Sequence, residues 1–328
     1  MTYRDLPLRR RALLHLAAGA AALPLLRRGA VALDYPARTV RIVCGFVAGQ
    51  IPDVAARMIA QALSARLGQQ FIVDNRPGAG TNIATEMVAH AEADGYTLLV
   101  LTSSNATNAT LYTNLKFDLL RDFAPVATTF RSALVLEVNP AVPVKTTAEF
   151  IAYARQNPGR INYASPGVGT LPHVAGELFR ALTGVDIVHV PYRNAYLPDL
   201  LGGQVQAAFS PISTSLDFIA QGKLRALGVT SEARADVLRD VPAIAEAVPG
   251  YAAYIWDAIA APRDTPAETV ATLNREINAV LADPAIRSRL VALGADPLVM
   301  SASESAKFVA DETAKWGQVI RNAGIKAD

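Results

Sequence analysis

Beyond residue 33, short apolar runs rich in Val, Ile and Leu alternate with longer segments of helical period. That alternation marks α/β units with parallel sheets, whose strands are buried on both faces. Strands are predicted over 40–46, 71–73, 96–101, 134–138, 161–163, 187–190, 205–209 and 224–229, with another over 255–260. Helix punctuation lies between them. Asp53 is positioned to cap a helix from Val54 to Leu67 that ends at Gly68, and a second helix is expected over 83–93. Thr146 with Glu149 and Ser301 with Glu304 have capping-box spacing, while 266–281 and 302–323 read as amphipathic helices returning to cover a sheet.

The first 32 residues follow another rule. Arg9, Arg10 and Arg11 precede an apolar, Ala-rich run from Ala12 to Leu26, which ends near the small triplet Ala30-Val31-Ala32. A spanning helix needs about 20 predominantly apolar residues, so this run is an export leader, cleaved near Ala32 to leave the protein in the periplasm. Arg10-Arg11-Ala12-Leu13-Leu14, with Arg27-Arg28 before the cut, points to the twin-arginine subtype. The leader carries six Arg and one Asp, or +5, of a whole-chain charge of +2, so the mature protein stands at −3. Nothing in that balance suggests nucleic acid as a partner. The single Cys44 cannot form an internal bridge and belongs to a buried run. The remaining length exceeds one typical core, which predicts two lobes.

In open α/β sheets, ligands bind beyond the carboxyl ends of strands, where helix starts direct free N–H groups at an anion. Four turns fit that description. Residues 46–53 place Gly49 ahead of a helix start, and residues 75–82 carry Gly78 and Gly80 beside Arg76, which is either a carboxylate clamp or an ion-pair residue. Residues 165–173 form a Gly-rich turn without dinucleotide-fingerprint spacing. Residues 189–193 set Tyr192 and Arg193 just past a strand. Each turn also has a plain structural reading, and His173 and His189 also read as histidines hydrogen-bonded for structure.

Enzyme readings fail on these residues. There is no Gly-x-Ser-x-Gly elbow around Ser165, no His-Glu-x-x-His and no Walker loop; metal ligands are sparse and no cofactor is implied. A hydrolase using Ser165 and His173 lacks a third member.

The motifs together resemble a known family. Phe46-x-x-Gly49-x-x-x-Asp53, Val73-x-Asn75-Arg76-Pro77-Gly78-Ala79-Gly80, Asp94-Gly95-Tyr96, Tyr163-Ala164-Ser165-x-Gly167-x-Gly169-Thr170 and His189-Val190-Pro191-Tyr192 are similar to the substrate-binding receptors of tripartite tricarboxylate transporters, also called Bug receptors. The resemblance runs nearly end to end. It implies a type II periplasmic binding fold of the Venus-flytrap kind, with residues 33–134 plus 256–328 in one lobe, 135–255 in the other, two crossing strands and a ligand cleft between. The implied activity is binding without turnover, as a monomer that takes a small carboxylate to membrane transporter subunits. The implied ligand contacts are Phe46, Ala48, Gly49, Gln50, Asp53, Ser103, Ser104, Asn105, Ser165, Gly167, Gly169, Thr170, His173, Tyr192 and Ser210.

Three departures from the family pattern fall among those contacts. Gln50 stands where a second glycine is usual, the segment after Tyr192 is about two residues short, and Ser210 replaces an Asp, which argues against an amino-acid ligand. A sensory module for a membrane signalling protein would share the same ligand site. A transcriptional regulator is excluded, since nothing before Asp34 encodes a helix-turn-helix.

Overall fold

The computed structural model describes residues 35–193 and 195–327, so the leader expected over 1–32 lies outside the described residues. Contacts divide the chain into two units, 1–37 and 38–328, and every element below belongs to the second. Its first part runs β1 (Val40–Cys44), α1 (Ile51–Leu67), β2 (Phe71–Asn75), a short 3-10 turn (Ala79–Thr81), α2 (Asn82–Ala89), β3 (Thr97–Thr102), α3 (Ser103–Leu111) and β4 (Phe123–Val138). Its middle runs α4 (Thr147–Gln156), β5 (Ile161–Ser165), α5 (Leu171–Thr183), β6 (Ile187–Pro191), α6 (Leu197–Leu201), β7 (Ala207–Pro211), α7 (Ile212–Ala220) and β8 (Arg225–Val229). It ends with β9 (Tyr254–Pro262), α8 (Ala267–Ala282), α9 (Pro284–Ala292), β10 (Asp296–Pro297) and α10 (Ala302–Ala323).

Two sheets share one strand. The first is ordered β2-β1-β3-β9-β4, with β10 also on β4; the second is ordered β4-β7-β5-β6, with β8 also on β4. Strand β1 is parallel to β2 and β3, and β5 is parallel to β6 and β7. The sheets are nevertheless mixed rather than parallel throughout, because β9 and β10 pair antiparallel in the first and β7 and β8 pair antiparallel with β4 in the second. Strand β4 is also longer than the expected 134–138. Its first half, Phe123 to Ala133, pairs with β9. The sequence hides that half because Pro125, Thr128, Thr129, Arg131 and Ser132 interrupt the apolar run.

The strand changes sheets between Ala133, its last partner to β9, and Leu134, its first to β7. Thr230 fastens the chain there. Its hydroxyl accepts from Leu134 N–H at 2.7 Å and donates to Ala253 C=O at 2.6 Å, while Ala253 N–H returns to Thr230 C=O at 2.9 Å. The return path into β9 is thereby held beside β4 at the point of crossing.

Local chemistry sets the helix ends. Gln50, not Asp53, is the N-cap of α1, so the helix starts at Ile51, with Pro52 at a first-turn position that needs no N–H acceptor. Gly68 and Gly184 close α1 and α5 in the left-handed conformation. Ser301 and Glu304 form the expected capping box on α10. Helix α2 stops at Ala89, short of the expected 93. One core cluster includes Leu99 and Leu101 of the first sheet, Leu136 and Phe209 of the second, and Trp316 of α10. Glu312 ties α10 to this core by accepting from the indole N–H groups of Trp256 at 3.1 Å and Trp316 at 2.8 Å.

Gly176 tests how tightly α5 seats. A Cβ there would lie 2.4 Å from Cε2 of Tyr163, a ring buried in the core whose hydroxyl is fixed by a 2.6 Å bond to Glu177. Alanine ordinarily stabilises a helix interior by about 1 kcal/mol over glycine. Here the overpacking penalty of about 1–3 kcal/mol dominates, so Gly176→Ala should lower the urea midpoint at unchanged m-value.

Candidate functional site

The turn after β1 is built around a buried carboxylate. Asp53, 2 % exposed at the third position of α1, accepts from Gly49 N–H at 2.8 Å and from the Asn75 amide at 2.8 Å. Arg57 Nε lies 2.9 and 3.1 Å from its two oxygens. The same Asn75 amide donates to Phe46 C=O at 3.0 Å. Burial opposes the charge, but Arg57, Gly49 and Asn75 together hold the Asp53 carboxyl below its ordinary range. Asp53 therefore shapes the turn from beneath. Ala48, Gly49 and Gln50 are the exposed part of it, and Gly49 has a φ of +90° that a side chain would strain. Gln50 caps α1 through its backbone alone, which leaves its side chain projecting from the rim.

Two further turns join this one along the same edge of the first sheet. Gly45 packs so closely on Thr81 that an added Cβ would fall 2.7 Å from Thr81 Cβ. Thr81 and Thr85 accept from the Asn105 amide at 3.1 and 2.7 Å, and the Asn105 oxygen accepts from Thr102 N–H at 2.8 Å. Asn105 is thus a buried tie, while Ser103 and Ser104 open α3, where the first backbone N–H groups lack intrahelical acceptors. Arg76 is engaged by Asp74, with Nε 3.1 Å from both carboxylate oxygens, so the ion-pair reading holds.

The second sheet contributes the turn after β5. Gly167 and Gly169 have φ of +144° and +76°, and a Cβ on Gly169 would lie 2.2 Å from Leu111 Cδ2, so this turn packs against the far end of α3. Ser165 Oγ accepts from Gly167 N–H at 3.1 Å and lies 2.6 Å from His189 Nε2. His189 stacks on His173 with centroids 3.7 Å apart and planes 9° from parallel. Gly169 N–H donates to His173 Nδ1 at 3.0 Å, which makes that nitrogen a lone-pair acceptor and the ring neutral. Burial first and Arg180 second push His173 down to about 4; burial first and His173 second push His189 down to about 3. Both rings are uncharged near neutrality. The serine is paired with His189 rather than His173, is itself fully buried, and serves to fix the turn. Thr170 is the N-cap of α5 through its backbone alone, while its hydroxyl donates back to Gly167 C=O at 2.7 Å and tightens the turn.

Tyr192 continues from that turn, with its N–H on Ser165 C=O at 2.9 Å and its hydroxyl on Asp199 at 2.8 Å. Two of the three sequence departures meet just beyond it. Tyr196, in the shortened segment, donates its hydroxyl to Ser210 Oγ at 2.8 Å, and Ser210 donates to Glu137 Oε1 at 2.5 Å. Ser215 donates to the same oxygen at 2.8 Å. A carboxyl thus lies beside position 210 after all, supplied by β4. Glu137, a single acidic residue in an apolar run, was not among the expected contacts, and nor was His189.

An open groove of about 410 Å³ lies elsewhere, between Tyr112, Phe117 and Leu120 on one side and Thr313 and Arg321 on the other. It adjoins the carboxyl ends of α3 and α10, whose carbonyl groups disfavour an anion. None of the fifteen expected contacts lines it. Among the described residues, no group of three His, Cys, Asp or Glu side chains is placed to hold a metal ion.

Glu137 makes a measurable claim. Oε1 accepts two hydroxyls and Oε2 has no partner, the pattern of a neutral acid whose carbonyl oxygen is the acceptor. Burial, partly offset by Ser210 and Ser215, pushes it from 4.5 up to about 7. The folded chain then keeps a proton that the unfolded chain releases, so stability falls as pH rises from about 4.5 to about 7, by on the order of 3 kcal/mol. Urea titrations should show Glu137→Gln matching wild type at pH 4.5 and exceeding it at pH 8, with that pH slope flattened.

With this geometry in hand, relatives are informative. The family described as the tripartite tricarboxylate transporter family receptor matches residues 55–325. Protein BugT of Bordetella pertussis is 36 % identical over 297 residues, covering 89 % of this chain and 91 % of its own. An R. palustris protein solved with adipate is 38 % identical at a TM-score of 0.77, over 89 % of this chain and 99 % of that one. MatC from Rhodopseudomonas palustris, solved with bound malate, is 32 % identical at a TM-score of 0.72, over 87 % and 100 %. The family is one of two-lobed solute receptors rather than enzymes. This chain belongs to the tripartite tricarboxylate transporter receptor family, the Bug receptors.

Proposed function

We propose that the chain is a periplasmic receptor that binds a small organic carboxylate between two lobes and passes it to the membrane subunits of a tripartite transporter. The observation that carries this reading is the pair of helix starts, α1 after the exposed Ala48-Gly49-Gln50 turn and α5 after the Gly167-Thr170 turn, one from each sheet. Each presents backbone N–H groups and the positive end of a helix dipole, and both lie at carboxyl edges of parallel strands. No cationic side chain is needed for such a grip, which suits a site where Arg57 and Arg76 are already spent on Asp53 and Asp74.

The lobes proposed are residues 33–134 with 256–328, and 135–255. Sheet membership supports the division, since β4 changes partners at Leu134 and β9 pairs only within the first sheet. Closure would flex this junction, a few residues within β4 where its partners change. The adipate and malate carried by two relatives make dicarboxylates the first ligands to try.

Purified protein should gain roughly 3 kcal/mol of stability from a bound acid at a hundredfold excess over its Kd, seen as a rise of several degrees in Tm. Gly49→Val, which strains the +90° backbone and covers the first helix start, should weaken that ligand by tenfold or more in calorimetry. Flat melting curves across C4 to C8 dicarboxylates and aromatic acids would refute the carboxylate reading.

A further inference from the structure

Asp257 of β9 is buried, at 2 % exposure, and neither of its carboxylate oxygens has a hydrogen-bond partner. Among the described residues it is the one carboxyl with both oxygens orphaned in this way. Leaving a carboxyl dry and unpaired costs several kcal/mol, even after it takes up a proton. A group of this kind is completed by a donor from outside the chain, a buried water or a group on a bound solute.

Its position in the sheet favours the solute. Asp257 lies directly opposite Thr102, the last residue of β3, and opposite Phe130 of β4. Cross-strand partners share a face, and alternate residues return to it. Through Ile259 and Val100, Asp257 is therefore on the same face as Cys44, the last residue of β1. The carboxyl thus stands at the strand edge from which two candidate turns depart, the one leading to α1 and the one opening α3. Cys44 reports on that neighbourhood. Its thiol is pushed up to about 11, by burial first, with the charges of Asp257 and Asp53 both contributing.

We infer that Asp257 is a specificity-determining residue of the solute site, accepting a hydrogen bond from a hydroxyl or ammonium group that the bound carboxylate carries on its carbon chain. The inference rests on the carboxylate-receptor reading and sharpens it. The helix starts grip the carboxylate, and the orphan oxygens recognise a second, donating substituent. A plain diacid satisfies the first requirement and leaves the second unmet. The loss of Asp at position 210 argued against an amino acid; Asp257 supplies a different carboxyl, on the other sheet, for the same chemistry.

Calorimetry on the purified protein with two matched sets tests this: succinate, malate and aspartate, then adipate, 2-hydroxyadipate and 2-aminoadipate. Within each set only the donor changes. In at least one set, the hydroxylated or the amino acid should bind about tenfold or more tighter than the unsubstituted diacid, the weight of one buried hydrogen bond. Asp257→Leu should reduce that preference to within about threefold. Asp257→Asn, of nearly the same shape, should retain a preference for hydroxyl and lose one for ammonium. Circular dichroism and melting curves verify that both variants fold, and if Asp257→Leu does not, the Asn variant and the wild-type ratios still decide. Equal binding within both sets, or a preference that survives Asp257→Leu, overturns the role of Asp257 while leaving the receptor reading intact. Failure of all six acids to bind overturns the role of Asp257, and the receptor reading falls with it when the wider series of dicarboxylates and aromatic acids fails as well.

Discussion

One strand belongs to both sheets. β4 passes from β9 to β7 between Ala133 and Leu134 without a break, and Thr230 and Ala253 bind the return path to it with four hydrogen bonds at 2.6–2.9 Å. A strand that is buried along its length and serves two sheets cannot slip by one residue, because a slip would turn its apolar set the wrong way in both at once. Everything at the strand edges inherits its placement from that register. The turn after β5 packs against the end of α3, the helix that follows β3, because the sheets that carry them are fastened at a single place.

The same arrangement governs charge. In the turn after β1 the ionised carboxylate, Asp53, is surrounded by three donors and stays below its ordinary range. On the strands near the crossing the balance reverses: Glu137 has two hydroxyls on one oxygen, Asp257 has no donor, and burial pushes both acids up. Donor supply, rather than depth alone, separates the two cases. Both side chains are closed off from solvent, but Asp53 lies in a surface turn with three donors while Asp257 lies deep in the sheet with none, and they move in opposite directions. Local donors thus set which acids are built to be charged and which to be neutral.

Much of this was legible from residues alone. The α/β alternation, α10 to its last residue and the glycine closure of α1 follow from period and punctuation. Pattern reading lost the first half of β4, where threonines and Arg131 occupy a strand fixed by its pairing with β9 and β10, a cause invisible in one segment. It also took Asp53 for a helix cap, when the side chain reaches back from the first turn of a helix that had already begun. Site residues were legible as turns and not as networks. His189 and Ser165 are 24 residues apart, and no local signal sets them 2.6 Å from each other. The two buried acids did leave a signal, each a lone charge in an apolar strand run, Leu134 to Val138 and Trp256 to Ala261.

Those lone charges change how the departures at the site should be read. Gln50, the short segment after Tyr192 and Ser210 look like three separate losses when set against a family pattern. In the folded chain the last two are one unit, because Tyr196 reaches Ser210 and Ser210 reaches Glu137. A hydroxyl at position 210 is what that chain requires, since it must accept from Tyr196 and donate to Glu137 at once; a carboxylate there could accept from Tyr196 but has no proton to donate to Glu137. The substitution at 210 and the acid at 137 are therefore physically coupled. Neither can be judged alone as a gain or loss of ligand contact. The departure that stands by itself is Gln50, exposed at the rim of the first helix start.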